Sequence, residues 1–421
     1  MEILNTYLSG IILPVLLIFL GIYFAIRLNM FYILHPFKTI KTILNNRRDG
    51  FKSLTVALAG TLGVGNIVGV ASAILLGGAG SVFWMWISAF CAMSLKYVEV
   101  YLAMIYRKKQ NGQFYGGASH YIKDGLKNKI GVTPAYFLSI IFAFFCVVNS
   151  LTTGNLVQIN SVSSLLSIPP FYFGTIFTIL AFIAIIGGLK RISKITSVLI
   201  PVLSIAYVLI CVFIICTEIE RLPKVISTII KDAFSVNCAV SGFTGFGIAS
   251  AIRFGVSRGV LSNEAGCGTS PSAHASSDSV DPHGQGCLGV FEVFVDTILL
   301  CSLTAFVILL STPTNEKTPI SLVLSAFCQF TGEFGANLII WLTICFAFAT
   351  VICQFFYGME ALNYISKGKA AKTVFIFLFC IVLLVGAVIP MELMWQISDL
   401  SIAIMTIVNL FCIFLLRKTF K

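Results

Sequence analysis

Charge is scarce in this chain. Asp, Glu, Lys and Arg together make up only 11% of its 421 residues, whereas 58% are hydrophobic and the mean hydropathy is +0.97. Soluble domains carry roughly 25% charged residues, so an ordinary water-soluble fold is excluded. Histidine is nearly absent: the four present, His35, His120, His274 and His283, are too dispersed for a histidine metal centre. The thirteen cysteines, among them Cys91, Cys146, Cys211, Cys301, Cys345 and Cys380, are scattered through apolar stretches without the paired spacing of a zinc site, and read as small buried thiols. No His-Glu-x-x-His helix and no phosphate loop is found, which leaves an intramembrane enzyme built on Ser262, Glu264 and His274 without support. The first thirty residues lack the basic leader and small-residue cleavage site of a signal peptide, so they are expected to remain as a first span.

Long apolar runs are what the chain has instead. Taking about 20 residues per crossing, spans are expected near residues 7–31 and 54–76, in a third ending near Tyr106 after a turn at Gly77–Ser81, near 134–166, in a fifth between the Pro169-Pro170 turn and Lys190, near 196–216, at the second glycine-rich run before Ser262, and near 287–310, 337–363, 373–389 and 395–416, about eleven in all. A polar piece from Gln113 to Gly131 is too short and charged to cross and reads as an interfacial helix. The net charge of +11 sits in short loops, which speaks for topology and against nucleic acid. With the Lys38–Lys52 loop inside, only Arg221, Lys224, Lys231 and Lys317 fall on the opposite side. The expectation is a multi-pass protein of the plasma (inner) membrane, N-terminus outside and C-terminus cytoplasmic, with the lipid bilayer as its surroundings and no protein partner implied.

One stretch conflicts with a lipid-facing helix. Ala59 to Gly69 reads Ala-Gly-Thr-Leu-Gly-Val-Gly-Asn-Ile-Val-Gly, four glycines inside a span. Glycine costs a helix about 1 kcal/mol relative to alanine, and freed backbone groups in a bilayer must find partners. Two readings stand: a broken helix lining a cavity, whose half-helix ends hold a carboxylate and a cation, or a small-residue packing face built on Gly65 and Gly69. A second glycine-rich run, Ser241-Gly-Phe-Thr-Gly-Phe-Gly247, follows about 180 residues later, the spacing expected of an inverted repeat with two discontinuous helices.

The loop Arg258-Gly-Val-Leu-Ser-Asn-Glu-Ala-Gly-Cys-Gly-Thr-Ser-Pro-Ser-Ala-His274 closely resembles the signature of the alanine/glycine:cation symporter family. Gly60 to Asn66, Phe83-Trp-Met-Trp86, Gly187-Gly-Leu-Lys-Arg191 and Phe291-Glu-Val-Phe-Val-Asp-Thr297 carry the resemblance over nearly the whole chain after the first span. It implies an all-α polytopic membrane protein with a five-plus-five inverted-repeat core of leucine-transporter type. One extra N-terminal helix and a basic loop would occupy residues 1–50, with repeats over 51–217 and 218–421. It also implies uptake of alanine and glycine, with serine as a further cargo, coupled to sodium, with protons as the alternative driving ion and no bound cofactor. The substrate segment implied is Gly63, Val64, Gly65 and Asn66, joined by Gln158 and by Phe243, Thr244 and Gly245. The sodium ligands implied are Ala59, Leu62 and Thr350, with Thr61 and Asn66 for a second cation. Val64, Ala349 and Gly117-Ala-Ser-His-Tyr121 depart from the family pattern. A channel or receptor of the same fold shares these features, and uphill accumulation driven by sodium is what separates them.

Several of these residues also have plainer roles. Asn66 would cap the half-helix beginning there, Gln158 would bridge helices, and Thr350 would bond back to its own helix. Glu292 and Asp296, four apart on one span, read either as functional carboxylates or as packing hydrogen bonds. Lys96 and Glu99 read as a local ion pair with the lysine snorkelling, and Arg253, Arg258 and Glu264 as a cytoplasmic gate or as basic anchors.

Overall fold

The computed structural model describes residues 7–110, 112–166, 168–235, 247–312, 316–389 and 391–420, and is helical apart from one hairpin. In chain order the helices are α1 (Leu8–Arg27), α2 (Phe31–Leu34), α3 (Pro36–Thr61), α4 (Val68–Gly77) and α5 (Gly80–Tyr106). Strands β1 (Lys108–Gln110) and β2 (Gln113–Tyr115) pair antiparallel before α6 (Ala118–Ile130). Then come α7 (Val132–Ser163), α8 (Pro170–Ile186), α9 (Gly188–Thr217), α10 (Leu222–Ala233), α11 (Ile248–Asn263) and α12 (Pro271–Ala275). The last four are α13 (Pro282–Leu310), α14 (Pro319–Ile365), α15 (Lys369–Gly386) and α16 (Met391–Leu415). Among the described residues eight helices are long and apolar enough to cross a membrane, or nine when the pair bent by 61° at Leu62–Gly63 is taken as one span.

Apolar side chains divide into two cores. One packs α3 and α4 against α9 and α14; the other packs α1, α5 and α6 against α16. Outward faces stay apolar, as in Val202, Ile205, Leu209 and Phe213 on α9, which suits lipid rather than water. Small residues bring backbones close: a Cβ on Gly80 would lie 2.4 Å from the Ala233 nitrogen, and one on Gly255 2.3 Å from the Ser81 carbonyl oxygen. The piece expected to be interfacial is α6, which buries Tyr121, Ile122 and Leu126.

The two termini lie at opposite ends. Arg27, closing α1, donates to the Phe420 carbonyl at 2.7 Å, so the C-terminus shares the basic end with the start of α3; the Lys38–Lys52 stretch expected as a loop is helical there. Ser9, opening α1, donates to the Asp399 carbonyl at 3.0 Å, and Arg258 pairs with Asp399 at 3.4 Å. A Cβ on Gly10 would lie 3.0 Å from Nε of Arg253. Arg253 and Arg258 therefore belong to the N-terminal half of the molecule, correcting the assignment of both to the basic end; each sits inside α11, where charge counting along loops does not reach. Likewise Lys190, Arg191 and Lys194 form the first turns of α9 and are not in a loop.

Lys96 also departs from expectation. It does not snorkel: it is fully buried, donating to Ser270 Oγ at 2.8 Å and pairing with Glu292 at 3.2 Å, while Glu292 also meets His274 Nε2 at 3.2 Å. Glu99 accepts instead from the Gly266 N–H at 3.2 Å and from Asn409 at 2.5 Å. The two side chains of α5 thus hold separate parts of the 264–275 segment, because α11 and α13 pack over the face that sequence spacing assigned to lipid. Removing one partner of a buried pair strands the other charge. Lys96→Met should therefore lose about 3–5 kcal/mol of stability, read as a lower unfolding temperature in detergent, with partial recovery in Lys96→Met/Glu292→Gln. A single variant as stable as wild type would show that the pair anchors nothing.

Candidate functional site

Helix α3 stops where its backbone bonds change partners. The Gly63 N–H, which would have continued the helix onto Ala59, donates to Asn66 Oδ1 at 3.1 Å, and the Val64 N–H donates to Gln158 Oε1 on α7 at 3.1 Å. The carbonyls released at the end of α3 are met from α14: Thr350 Oγ1 donates to Leu62 at 3.1 Å and Gln354 Nε2 to Gly60 at 3.3 Å. A single turn of 3-10 helix, Val64–Asn66, then leads into α4. Gly63 is required here by crowding, since a Cβ would sit 2.6 Å from Thr350 Oγ1 and 2.8 Å from Gln158 Oε1. Gly69 has open space around its Cβ position and Gly65 an ordinary 3.4 Å contact with Ser262, so neither marks a packing face. The cavity reading is the one the geometry favours.

A second interruption follows α11. Glu264 adopts a left-handed conformation (φ 49°), and Gly266 and Gly268 take φ of 84° and 77°, values that glycine reaches without a Cβ penalty. The Gly266 peptide is held on both sides, its N–H by Glu99 and its carbonyl by Asn409 Nδ2 at 2.8 Å. Glu264 accepts from Thr269 Oγ1 at 2.5 Å and from Gln354 Nε2 at 2.6 Å. That same Gln354 nitrogen reaches Gly60, so one side chain ties the two interruptions together.

Between them lies a cavity of about 10 Å³, room for about one water molecule, bordered by Gly60, Thr61, Gly65, Gln158, Glu264 and Gln354, with Thr153, Thr350 and Trp395 also on its wall. Gln354 Oε1 is buried there without a hydrogen-bond partner among the described residues. The cavity wall thus offers acceptors for an ammonium group, Glu264 and Gln354 Oε1, close to backbone N–H groups suited to a carboxylate.

Of the residues marked by sequence, Thr61, Gly65, Gln158 and Thr350 come together on this wall; Gly63 and Val64 lie directly behind it through their bonds to Asn66 and Gln158. Asn66 does not cap α4, which opens without a side-chain cap; its Oδ1 accepts from the upstream Gly63 N–H, and its Nδ2 donates to Asp296 Oδ1 at 2.7 Å and to Ser262 Oγ at 3.0 Å. Thr61 bonds back to Ala57 and Leu58 at 3.4 and 3.3 Å. Thr350 has one proton for two carbonyls, Leu62 and Phe346, both at 3.1 Å, so its lone pairs remain available to a cation beside the Leu62 oxygen. Phe243, Thr244 and Gly245 lie outside the described residues. Gly247 opens α11 at the end near Gly77 and Gly80, whereas Ser262, at the other end of α11, is the residue that meets Asn66.

Glu264, Gln354, Trp395 and Thr153 were not marked as ligands. Gln354 follows Thr350 by one turn on the same helix face, which is the signal that would have found it. Glu264 was grouped with Arg253 and Arg258 as a gate; it turns inward instead, while Arg258 pairs with Asp399 and stacks on Trp395 at 4.6 Å. Glu292 and Asp296 were placed on one face, but π-helical turns over Phe294–Cys301 intervene, and the two serve different elements: Glu292 meets Lys96 and His274, Asp296 meets Asn66, Ser262 and Thr297. Gly255-Val-Ser-Arg-Gly259 has the spacing of a hydrolase nucleophile elbow, yet it lies inside α11, away from any strand-to-helix turn.

Comparison with known proteins agrees with this geometry. Two solved structures share the fold: MhsT in complex with L-phenylalanine, with a TM-score of 0.55 at 12% identity over 86% of this chain and 87% of that one, and a substrate-bound, outward-open Na+-coupled sialic acid symporter, with a TM-score of 0.52 at 13% identity over 95% and 81%. The fold is thus of leucine-transporter type. In sequence, the chain is 32% identical to the sodium/alanine symporter AgcS of Methanococcus maripaludis over 98% of its own length and 93% of the relative's. It is 33% identical to the probable sodium/glutamine symporter GlnT of Bacillus subtilis, over 99% and 87%. The model of the sodium:alanine symporter family matches residues 1–421. Two backbone interruptions meeting at one cavity, on this fold and with these relatives, place the chain in the sodium:alanine symporter family, whose members are transporters and not enzymes.

Proposed function

We propose that this protein is a secondary active symporter that imports small neutral amino acids, alanine and glycine foremost and serine with them, driven by sodium. The observation that carries this reading is the meeting of both interruptions, at Leu62–Gly63 and at Glu264–Ser270, across one small cavity. Gln158 Oε1 holds the Val64 N–H in the place a substrate carboxylate would take, and Glu264 with Gln354 would receive the ammonium group. Sodium would sit among the Ala59 and Leu62 carbonyls and the Thr350 hydroxyl, and Asn66 with Thr61 would face a second cation.

Because the cavity now accommodates only about one water, Gln158, Gln354 and Trp395 must move aside for a substrate. The little space they can release explains a preference for short side chains. In this reading the chain has about eleven spans: an extra helix in residues 1–50 and two five-helix repeats over 51–217 and 218–421. The bundle rocks about the cavity to expose it alternately to each side. The N-terminus faces outside and the basic end faces the cytoplasm.

Purified protein in liposomes should accumulate alanine above the bath concentration under an inward sodium gradient. Failure with every neutral amino acid, under sodium and proton gradients alike, would overturn the symporter reading. Gly65→Leu should fill the cavity and abolish uptake while the protein still folds; normal transport by this variant would remove the cavity from the substrate path.

Thr350→Ala should separate cation from substrate. Loss of one oxygen ligand, worth about 1–3 kcal/mol, would weaken sodium binding about five- to a hundredfold. Alanine affinity at saturating sodium should hardly change, whereas at limiting sodium it should fall and recover as sodium rises. Superimposable sodium curves for wild type and variant would take Thr350 out of the cation site.

A further inference from the structure

Helix α14 carries one face past the central cavity toward the basic end. Thr350, Gln354, Tyr357, Ala361 and Tyr364 follow one another at helical steps of four and three, so they share that face. The first two border the central cavity, and the last three border a second one of about 10 Å³. Its wall also takes Ser119 and His120 from α6, Phe142 from α7, Ser272 from α12 and Glu360 from α14. His120, Ser272 and Glu360 are partly exposed, and Lys129 ties α6 to the end of α16 by donating to the Leu415 carbonyl at 2.7 Å. The second cavity therefore lies just beneath the basic end.

Tyr357 stands between the two cavities. Its side chain borders the second, while a Cβ on Gly60, which borders the first, would lie 2.7 Å from Tyr357 Cε2 and 2.8 Å from its hydroxyl. Only glycine at position 60 leaves room for the ring. The Tyr357 hydroxyl is buried without a hydrogen-bond partner among the described residues. The Cys353 thiol, which faces the same glycine, is spent on the Val56 carbonyl at 2.8 Å. Tyr121 and Tyr207 are buried as completely, yet each has a partner, Asn409 at 2.5 Å and Thr304 at 2.6 Å. An orphaned hydroxyl raises the free energy of the arrangement that buries it. The polar wall of the second cavity, with Ser272 and Glu360, is where a turn of the ring would find a partner.

We infer that substrate leaves the central cavity through this second cavity, between α6, α7, α12 and α14, and that the Tyr357 ring is the barrier it passes. The inference rests on the symporter reading and adds the route to it. The cargo is the same small zwitterion, whose ammonium group meets the Glu360 carboxylate on the way. Packing alone holds the barrier shut, because closure leaves its hydroxyl unpaired. On the other side of the central cavity stands Trp395, with Arg258 stacked on it, so one aromatic side chain bounds the site toward each end.

The test compares alanine binding to purified protein with alanine turnover in liposomes. Tyr357→Phe keeps the ring and removes the orphaned hydroxyl, so closure is favoured: alanine should bind with wild-type affinity and sodium dependence while turnover falls about fivefold or more. Ala361→Trp, which fills the second cavity, should stop uptake and leave alanine binding in place. Where the wild type accumulates alanine, undiminished turnover in Tyr357→Phe or normal uptake by Ala361→Trp would overturn the route. A Tyr357→Phe variant that is slow because it binds alanine or sodium less tightly would assign Tyr357 to the central site and overturn its role as barrier. If Ala361→Trp binds no alanine, Tyr357→Phe decides alone. A wild type that accumulates no neutral amino acid would instead overturn the symporter reading on which the route rests.

Discussion

The organisation of this molecule follows from one constraint: a peptide group inside a lipid-bounded bundle must have a hydrogen-bond partner. Where α3 stops, backbone groups lose their helical partners, and four of them are met by side chains. Asn66 and Gln158 take the N–H groups of Gly63 and Val64; Thr350 and Gln354 take the carbonyls of Leu62 and Gly60. Glu99 and Asn409 do the same for Gly266. The polar side chains buried in an otherwise apolar chain are therefore concentrated where the backbone is broken.

That arrangement suits transport for a physical reason. A side chain that satisfies a peptide group, as Gln158 does for the Val64 N–H and Thr350 for the Leu62 carbonyl, can be exchanged for another donor or acceptor without leaving the backbone unpaired. Gln354 bonds to both Gly60 and Glu264, so movement of either interruption is felt by the other. The buried Lys96–Glu292–His274 chain lies beneath the second interruption and fixes one side of it, since separating these charges in a medium of low dielectric is expensive. The moving parts are thus set against a rigid, ion-paired floor.

The structure also shows where charge reading along the chain stops being informative. Lysines and arginines that remain in water report topology: Arg27 and the end of the chain meet beside the start of α3, although Lys38–Lys52, expected as a loop, belongs to that helix. Arg253, Arg258 and Lys96 are inside helices and Glu264 caps one, and their surroundings are set by helices distant in sequence. Arg258 finds Asp399 on α16, and Lys96 finds Glu292 on α13. Neither pairing follows from local spacing, which suggested Lys96 with Glu99 and grouped Arg258 with Arg253 and Glu264.

Composition and local pattern determined by themselves that the chain is a polytopic helical membrane protein and that α5 ends at Tyr106, and they narrowed the glycines near Gly63 to a broken span or a packing face. These are properties of short segments: apolar length, helix propensity and the cost of an unpaired peptide are all local. Gln158 and Thr350 were marked by the family resemblance, whereas local pattern by itself read them as interhelical and back-bonding side chains. Tertiary structure alone decided that Glu264 and Gln354 line the cavity, that the second described interruption lies at Glu264–Ser270, and that Asp296 supports Asn66. Each depends on which helices become neighbours and on π-helical turns that shift the facing of every residue after them, and packing across hundreds of residues leaves no periodic mark in the sequence.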